Sequence, residues 1–315
     1  MHELNAADSR LTRFTAGIAR LTDTAAPVRF GVAISGGPDS MALLWLANSV
    51  FPGRVEAATV DHGLRPEAAD EAAMVARWCE GEGIPHAILR PATPITGNIQ
   101  SAARAVRYAL LHDWRQKRDI DWLLTAHHAD DQAETLLMRL NRGSGVAGLA
   151  GVRAKGDALL RPLLGWRKSE MVALAAQHGL PTVQDPSNAD PRFDRAALRA
   201  HLARVDWLDP LAITRSAAAL ADAEAALQWT ATDLIATHVH AYGDGFRLTD
   251  MAILPRELQR RIILGLLADD PPRGETLVHA LAQALVGGKA SIGRWLLSGG
   301  RDWTLEPAPP RRKPV

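Results

Sequence analysis

Short apolar runs alternate with helix-compatible stretches along the chain as far as Leu140. Phe30–Ile34, Val55–Val60, Pro85–Leu89 and Trp122–Ala126 are aliphatic or β-branched and stop at polar or glycine-bearing corners, which predicts four strands. Met41–Ala47, Pro66–Trp78, Asn98–Arg115 and Asp130–Leu140 follow them as helices. Strands and helices alternating at this spacing predict an α/β fold with a doubly wound parallel sheet. Ligands of such sheets sit outside the carboxyl ends of the strands, and Ser35, Asp61 and His127 all fall at predicted strand ends.

The pattern changes beyond Leu140. Arg142–Gly151 is glycine-rich and reads as a mobile loop rather than an element. Arg161–Gln177 reads as a strand end followed by a helix, and Asp185–Arg195 as polar and turn-rich. Ala196–Ala236 is alanine- and leucine-rich, which predicts a helical connector. Gly243-Asp244-Gly245 within Tyr242–Leu248 signals a hairpin. Helices near Pro255–Leu267 and Glu275–Val286 complete a small second domain, and the tail Pro307–Val315 reads as disordered.

Composition narrows the picture without deciding it. A chain of 315 residues is long for one domain and comfortable for two. No signal peptide is evident in Met1–Asn5, and the uncharged stretch around Met41–Pro52 is too short to cross a bilayer, so no membrane partner is expected. Cys79 is the only cysteine, which excludes intrachain disulfides and cysteine-held clusters and fits a cytoplasmic location. Net charge is +1, but the cations are nearly all arginine, with lysine only at 117, 155, 168, 289 and 313. Arginine suits bidentate phosphate contacts and base stacking, and a GC-rich genome gives the same bias. An RNA partner is compatible with this balance and not required by it.

Four constellations carry candidate chemistry. Ser35-Gly36-Gly37-Pro38-Asp39-Ser40 joins the first strand to a helix. Paired glycines permit close backbone approach, and the helix start offers N–H groups and a positive dipole end to a phosphate or pyrophosphate. Asp39 is placed to hold the magnesium that travels with ATP. No Gly-Lys-Ser/Thr follows, so this is not a Walker A loop, and a plain corner with Ser40 as the helix cap is the alternative. Second, Thr125–Thr135 carries His127, His128, Asp130, Asp131 and Glu134, with Asp131, Glu134 and Thr135 on one helical face. Helix capping alone would account for the two aspartates. Third, Gln100, Arg104 and Arg107 line one face of a helix, to grip a phosphate or to form a solvated basic face. Fourth, Asp185-Pro186-Ser187-Asn188 precedes Phe193, Arg195 and Arg199, where a turn is the plain alternative.

Together these motifs resemble the tRNA(Ile)-lysidine synthetase family, a branch of the PP-loop (N-type) ATP pyrophosphatases. They are joined in family order by Val60-Asp61-His62-Gly63-Leu64-Arg65, Arg104 through Tyr108, Arg142-Gly143-Ser144-Gly145 and Arg161-Pro162-Leu163-Leu164, across residues 30–199. The Ser-Gly-Gly-Pro-Asp-Ser piece is widely shared, while Asp-His-Gly-Leu-Arg and His-x-x-Asp-Asp-Gln-x-Glu-Thr are specific to lysidine synthetases. Arg195-Ala196 departs from the frequent Arg-Asn, and the length resembles members with one C-terminal domain.

The resemblance implies a catalytic PP-loop domain over 1–210, and a helical connector with a tRNA-binding domain over 211–315. It implies ATP and Mg2+ as cofactors, and the CAU-anticodon tRNA(Ile) and free L-lysine as partners; a homodimer is a further expectation. The C2 oxygen of the wobble cytidine attacks the α-phosphate of ATP, pyrophosphate leaves, and the ε-amine of lysine then displaces AMP at C2. On this plan Ser35, Gly36, Gly37, Pro38, Asp39, Ser40, His62, Arg104 and Arg107 hold the nucleotide, with Asp39 on the metal. Asp39, Asp61, His127, Asp130, Asp131 and Glu134 are the catalytic set, the carboxylates meeting the cationic amino acid. Arg256, Arg260 and Arg261, with Arg294, Trp295 and the Arg311-Arg312-Lys313 tail, are expected phosphate contacts in the second domain. A PP-loop tRNA thiolase and a non-catalytic nucleotide sensor are the rivals; one cysteine weighs against the first and the acidic cluster at 130–134 against the second.

Overall fold

Residues 2–22, 28–63, 67–93, 99–183, 194–202 and 204–309 are described by the computed structural model, without the side chains of residues 2–8, 99 and 100. The chain divides into two compact units, Met1–Ala221 and Asp222–Val315.

The first unit opens with a helix that the pattern did not predict, α1 (His2–Thr22). The next elements are β1 (Phe30–Ile34), α2 (Pro38–Val50), β2 (Val55–Val60), α3 (Glu67–Gly81), β3 (His86–Leu89), α4 (Ile99–Lys117), β4 (Trp122–Leu124) and α5 (Ala129–Asn141). Then come the short α6 (Val146–Leu149), β5 (Lys155–Gly156), β6 (Leu159–Leu160), α7 (Lys168–Gln177) and α8 (Asp194–Leu202). The sheet order is β3-β2-β1-β4-β6-β5, parallel except for the edge pair β5–β6.

Alternation along the strands separates two apolar layers. Phe30, Val32, Ile34, Val55 and Ala57 join Phe14, Ile18, the α2 leucines and Leu174 of α7 on one face. Ala33 and Ala58 turn to the other face, against Leu111 and Trp114 of α4. Gly31 makes room for this second layer: a Cβ there would lie 2.6 Å from Trp114. The doubly wound expectation is therefore met. Sequential order runs outward in both directions from the β1–β4 pair, so the loops after β1 and β4 diverge and open a crevice between them.

The predicted connector is two helices. α8 ends at Leu202 and α9 (Pro210–His238) starts anew at Pro210, whose missing backbone N–H costs nothing at a first helical position and whose ring disfavours helix at Asp209. In the second unit the hairpin forms as predicted, β7 (Val239–Tyr242) and β8 (Gly245–Leu248) around Gly243-Asp244. A 3-10 turn (Met251–Ile253), α10 (Arg256–Leu266) and α11 (Gly274–Leu285) follow. Three further strands were not predicted: β9 (Lys289–Ile292), β10 (Trp295–Ser298) and β11 (Trp303–Pro307). They complete an antiparallel sheet of order β7-β8-β11-β10-β9. Trp303, Leu305 and Leu297 are buried against Ile262, Ile263 and Leu281. The tail expectation is corrected at its start, because Pro307 closes β11 opposite Trp295; residues 310–315, with Arg311, Arg312 and Lys313, lie outside the described residues.

No helix among the described residues is long and apolar enough to cross a membrane.

Candidate active site

β1 runs into Ser35, and Gly36 turns the chain at φ +78° into Gly37, the N-cap of α2. Gly36 is required by the chain itself: its backbone is left-handed, and a Cβ would lie 3.0 Å from Val183, whose N–H donates to the Gly36 carbonyl. Gly37 has ordinary angles (φ −74°, ψ 160°), and the nearest atom to a Cβ would be Ser35 Oγ at 3.7 Å. Packing within the protein does not exclude a side chain at 37, so the bare backbone leaves room for a ligand. Pro38 fills the first helical position, and no side chain caps α2. Ser40 is not the cap. Its hydroxyl donates to Gly37 O at 3.0 Å, accepts from Ser35 N–H at 3.2 Å and lies 3.3 Å from Ser35 Oγ. The two serines brace the loop.

Asp39, in the first turn of α2, has Oδ2 3.6 Å from His128 Nε2. Its Oδ1 is buried without a hydrogen-bond partner among the described residues. No three His, Cys, Asp or Glu side chains among the described residues group as a cage for a metal. Magnesium commonly takes one or two carboxylates and completes its shell with phosphate and water. The Asp39 carboxylate, with such an oxygen and in the first turn of a helix that follows a glycine turn, fits that ion.

Across the crevice the chain leaves β4 through Thr125, His127 and His128 into α5. His128 is itself the N-cap: its backbone N–H donates to Asp131 Oδ2 at 3.1 Å, and Asp131 N–H approaches its Nδ1 at 3.3 Å. Capping therefore accounts for one histidine and one aspartate. Three carboxylates crowd the same ring, Asp131 Oδ2 at 3.4 Å, Asp130 Oδ2 at 3.5 Å and Asp39 Oδ2 at 3.6 Å. Burial pushes the His128 imidazole down, but bonds to Asp130 and Asp39 and the charges of Asp131 and Asp39 prevail and raise it to about 9. An imidazolium has no lone pair to accept the Asp131 N–H, so in the protonated form the cap rests on the Asp131 carboxylate alone.

His127 has the opposite character. Burial, opposed by Asp131 and aided by Arg161, Arg104 and Arg195, lowers it to about 4. It is neutral at pH 7, with Nδ1 3.0 Å from Thr125 Oγ1. Asp130 Oδ2 accepts the Lys168 backbone N–H at 2.8 Å, and despite burial its pKa is held below the ordinary value by His128 and that N–H.

Glu134 lies one turn on and is 3% exposed. Arg195 Nε donates to it at 2.7 Å, and Arg199 binds it with Nε at 2.7 Å and Nη2 at 3.0 Å. Arg195 Nη2 also reaches Asp131 Oδ1 at 3.0 Å. Two arginines one turn apart on α8 thus face two acids one turn apart on α5, an arrangement legible in the i, i+4 and i, i+3 spacings and not drawn from them.

Asp61 and His62 end β2. Asp61 accepts from Gly63 N–H at 2.9 Å and Arg90 Nε at 3.0 Å, and these bonds hold its carboxyl below the ordinary value against burial. No described contact joins Asp61 to the other acids. His62 is lowered by burial first and by the Arg107 charge second, and neither ring nitrogen has a hydrogen-bond partner among the described residues. Arg104 is exposed over the Tyr108 ring, its Cζ 5.1 Å from the centroid, and its charge reaches His127. The α4 arginines thus face both histidine-bearing strand ends. Leu64, Arg65, Asp185–Asn188 and Phe193, with the side chain of Gln100, lie outside the described residues.

The Arg142–Gly151 loop expectation is corrected. The segment holds α6, and α5 ties it down: Arg139 Nη1 donates to Gly148 O at 2.7 Å and Gly151 O at 3.1 Å, and the Gln132 amide pairs both ways with the Val152 backbone. Gly151, at φ +66°, is needed because a Cβ would sit 2.5 Å from Gln132 Oε1. Arg161, unassigned from sequence, donates to Arg153 O at 2.6 Å and adds charge near His127.

Residues 10–205 match a PP-loop domain profile. The tRNA(Ile)-lysidine synthase of Zymomonas mobilis is 40% identical over 301 residues, 91% of each chain, and that of Novosphingobium aromaticivorans 44% identical over 84% of each. Among solved structures, a U34-tRNA thiolase of Methanococcus maripaludis with its [4Fe-4S] cluster superposes with TM-score 0.55 at 19% identity, over 67% of this chain and 78% of that one, a likeness of fold. The profile spans most of the chain and the two synthases match it over four fifths of its length or more, so the chain belongs to the tRNA(Ile)-lysidine synthase family of PP-loop enzymes.

Proposed function

We propose that this chain ligates lysine to C2 of the wobble cytidine of the CAU-anticodon tRNA(Ile), with ATP as the activating substrate, through an adenylated cytidine. The observation that carries this reading is the meeting of two unlike surfaces at one crevice. A glycine-walled loop braced by Ser35 and Ser40 suits the departing pyrophosphate, and within 3.6 Å of His128 stand Asp39, Asp130 and Asp131. A pure polyanion binder gains nothing from carboxylates beside phosphate. An enzyme that must hold a triphosphate and a cationic amino acid needs both.

The roles divide by geometry. Gly36, Gly37 and Pro38 lead the backbone past the phosphates, and Arg104 and Arg107 face them from α4. The neutral His127 donates a hydrogen bond rather than a charge. His62 is a neutral partner for the nucleotide, with both ring nitrogens available. Magnesium held at Asp39 would neutralise charge on the leaving pyrophosphate. Asp130 and Asp131 line the lysine side; lysine, near pKa 10.4 when free, must lose a proton before its amine attacks, and a carboxylate there receives it. Glu134 holds Arg195 and Arg199 and so fixes α8 against that wall. Asp61 orders the β2 corner through Gly63 and Arg90.

A thiolase reading fails on chemistry: the lone Cys79 is buried, and burial, with Glu82 nearby, pushes its thiol up to about 12. A cytoplasmic site of action goes with a tRNA substrate. The second unit is proposed to contact tRNA, though not through all the expected arginines. Arg261, 5% exposed in its side chain, is bound by Glu224 and Glu257, and Arg260 is paired with Glu257. Arg256 and Arg294 are exposed. The test is pyrophosphate release from ATP: it should require tRNA(Ile) for any turnover and lysine for more than one turnover per tRNA, and release without tRNA, or sustained release without lysine, would sink the reading.

A further inference from the structure

Trp207 is 80% exposed in the turn between α8 and α9. An indole is a large apolar surface to leave in water, and this one is held there by an ordered turn. Asp209, two residues on, accepts Arg167 Nη2 at 2.6 Å and the Leu211 N–H in the first turn of α9 at 3.0 Å. Arg167 is the N-cap of α7, and the N–H of the next residue, Lys168, is the one that Asp130 accepts at 2.8 Å. The turn bearing Trp207 is therefore anchored to the same helix end that orients an active-site carboxylate, with one residue, Leu208, between the anchor and Trp207, about 7 Å of chain. Arg204 and Arg215 are exposed beside it, against Asp206 and Asp209, the latter already bound to Arg167.

Reaching C2 of a wobble base requires taking that base out of the anticodon-loop stack, which leaves its neighbours without a stacking face. Exposed aromatics beside cations are the usual platform for such bases. We propose that Trp207 stacks on an unpaired base flanking the wobble cytidine and so holds the opened anticodon loop at the crevice. This rests on the lysidine synthase reading of the site.

Two measurements on the full-length chain separate the two claims. Binding of a labelled CAU anticodon stem–loop RNA, followed by fluorescence anisotropy, reads the platform directly. W207A should weaken it by about 5- to 150-fold, the range one base–aromatic contact provides, and W207F should restore most of it. The salt slope of binding should stay at the wild-type value, because stacking releases no counterions. The melting temperature should not move, since the side chain is exposed. Wild-type affinity in W207A, equal loss in W207A and W207F, or a flattened salt slope would overturn the platform. So would a changed oligomeric state with RNA affinity intact, which would make Trp207 a contact between copies. AMP formation by the wild-type chain, dependent on lysine and tRNA, tests the functional reading separately; its absence beside a Trp207-dependent stem–loop affinity would refute the reaction and leave the platform standing.

Discussion

Asp39 is the residue on which nucleotide activation turns. Its Oδ1 has no hydrogen-bond partner among the described residues while Oδ2 lies against His128, so removing the charge should abolish adenylation while the fold persists. In Asp39→Asn we expect no tRNA-dependent pyrophosphate release from a chain that still folds; normal release would dismiss the metal role. The adjacent histidines carry opposite linkage in the metal-free, ATP-free protein. His128, raised to about 9, binds a proton in the folded state between pH 6.5 and 9 that the unfolded chain has lost. Its contribution, about 3 kcal/mol, is complete below pH 6.5 and lost as pH rises through 9. His127, lowered to about 4, contributes stability above pH 6.5 that is lost as pH falls through 4. Denaturant midpoints against pH should therefore fall on both sides of about 6.5, with His128→Gln flattening the alkaline limb and His127→Gln the acid limb. An alkaline limb unchanged in His128→Gln would show that the three carboxylates do not share its proton.

At the scale of elements, α5 organises the site, and its two acidic turns behave differently. Asp130 holds its neighbours through one backbone N–H and His128, so Asp130→Asn should raise the KM for lysine while leaving that for ATP near wild type. Glu134→Gln leaves Arg195 and Arg199 facing a neutral group in a buried place, and should lower stability by about 2 kcal/mol as well as activity. Equal lysine defects with no stability loss in Glu134→Gln would return Glu134 to substrate recognition. The strands and helices around these acids were legible because each apolar run of period two or 3.6 is sufficient by itself, and the crevice followed from the strand ends. Less was legible where partners come from far along the chain. Nothing in 142–152 announces that Arg139 and Gln132 will bind its backbone, so its glycines all read as freedom when two of them, Gly148 and Gly151, permit close packing. β9 to β11 escaped because runs as short as Lys289–Ile292 carry little pattern, although the Gly293-Arg294 and Gly299-Gly300 corners between them were a usable hairpin signal.

For the molecule as a whole, two separate apolar cores imply two separable units, joined through the length of α9. The arginines of α10 belong to the second core's rim, and Arg261 in particular binds α10 to Glu224 of α9. Removing its charge takes two bonds from Glu224 and one from Glu257 in a buried place, so Arg261→Met should destabilise the second unit by about 3 kcal/mol, seen as an earlier calorimetric transition, while ATP binding by the first unit persists. Loss of ATP binding at the same temperature would mean that the units do not melt apart. The central claim is the chemistry at the crevice, and the most direct measurement is the mass of the wobble nucleoside after incubation of the full-length chain with ATP, lysine and CAU-anticodon tRNA(Ile). The account predicts a cytidine heavier by one lysine less one water, formed with stoichiometric AMP and pyrophosphate. An unmodified cytidine in a folded, ATP-binding preparation would contradict it.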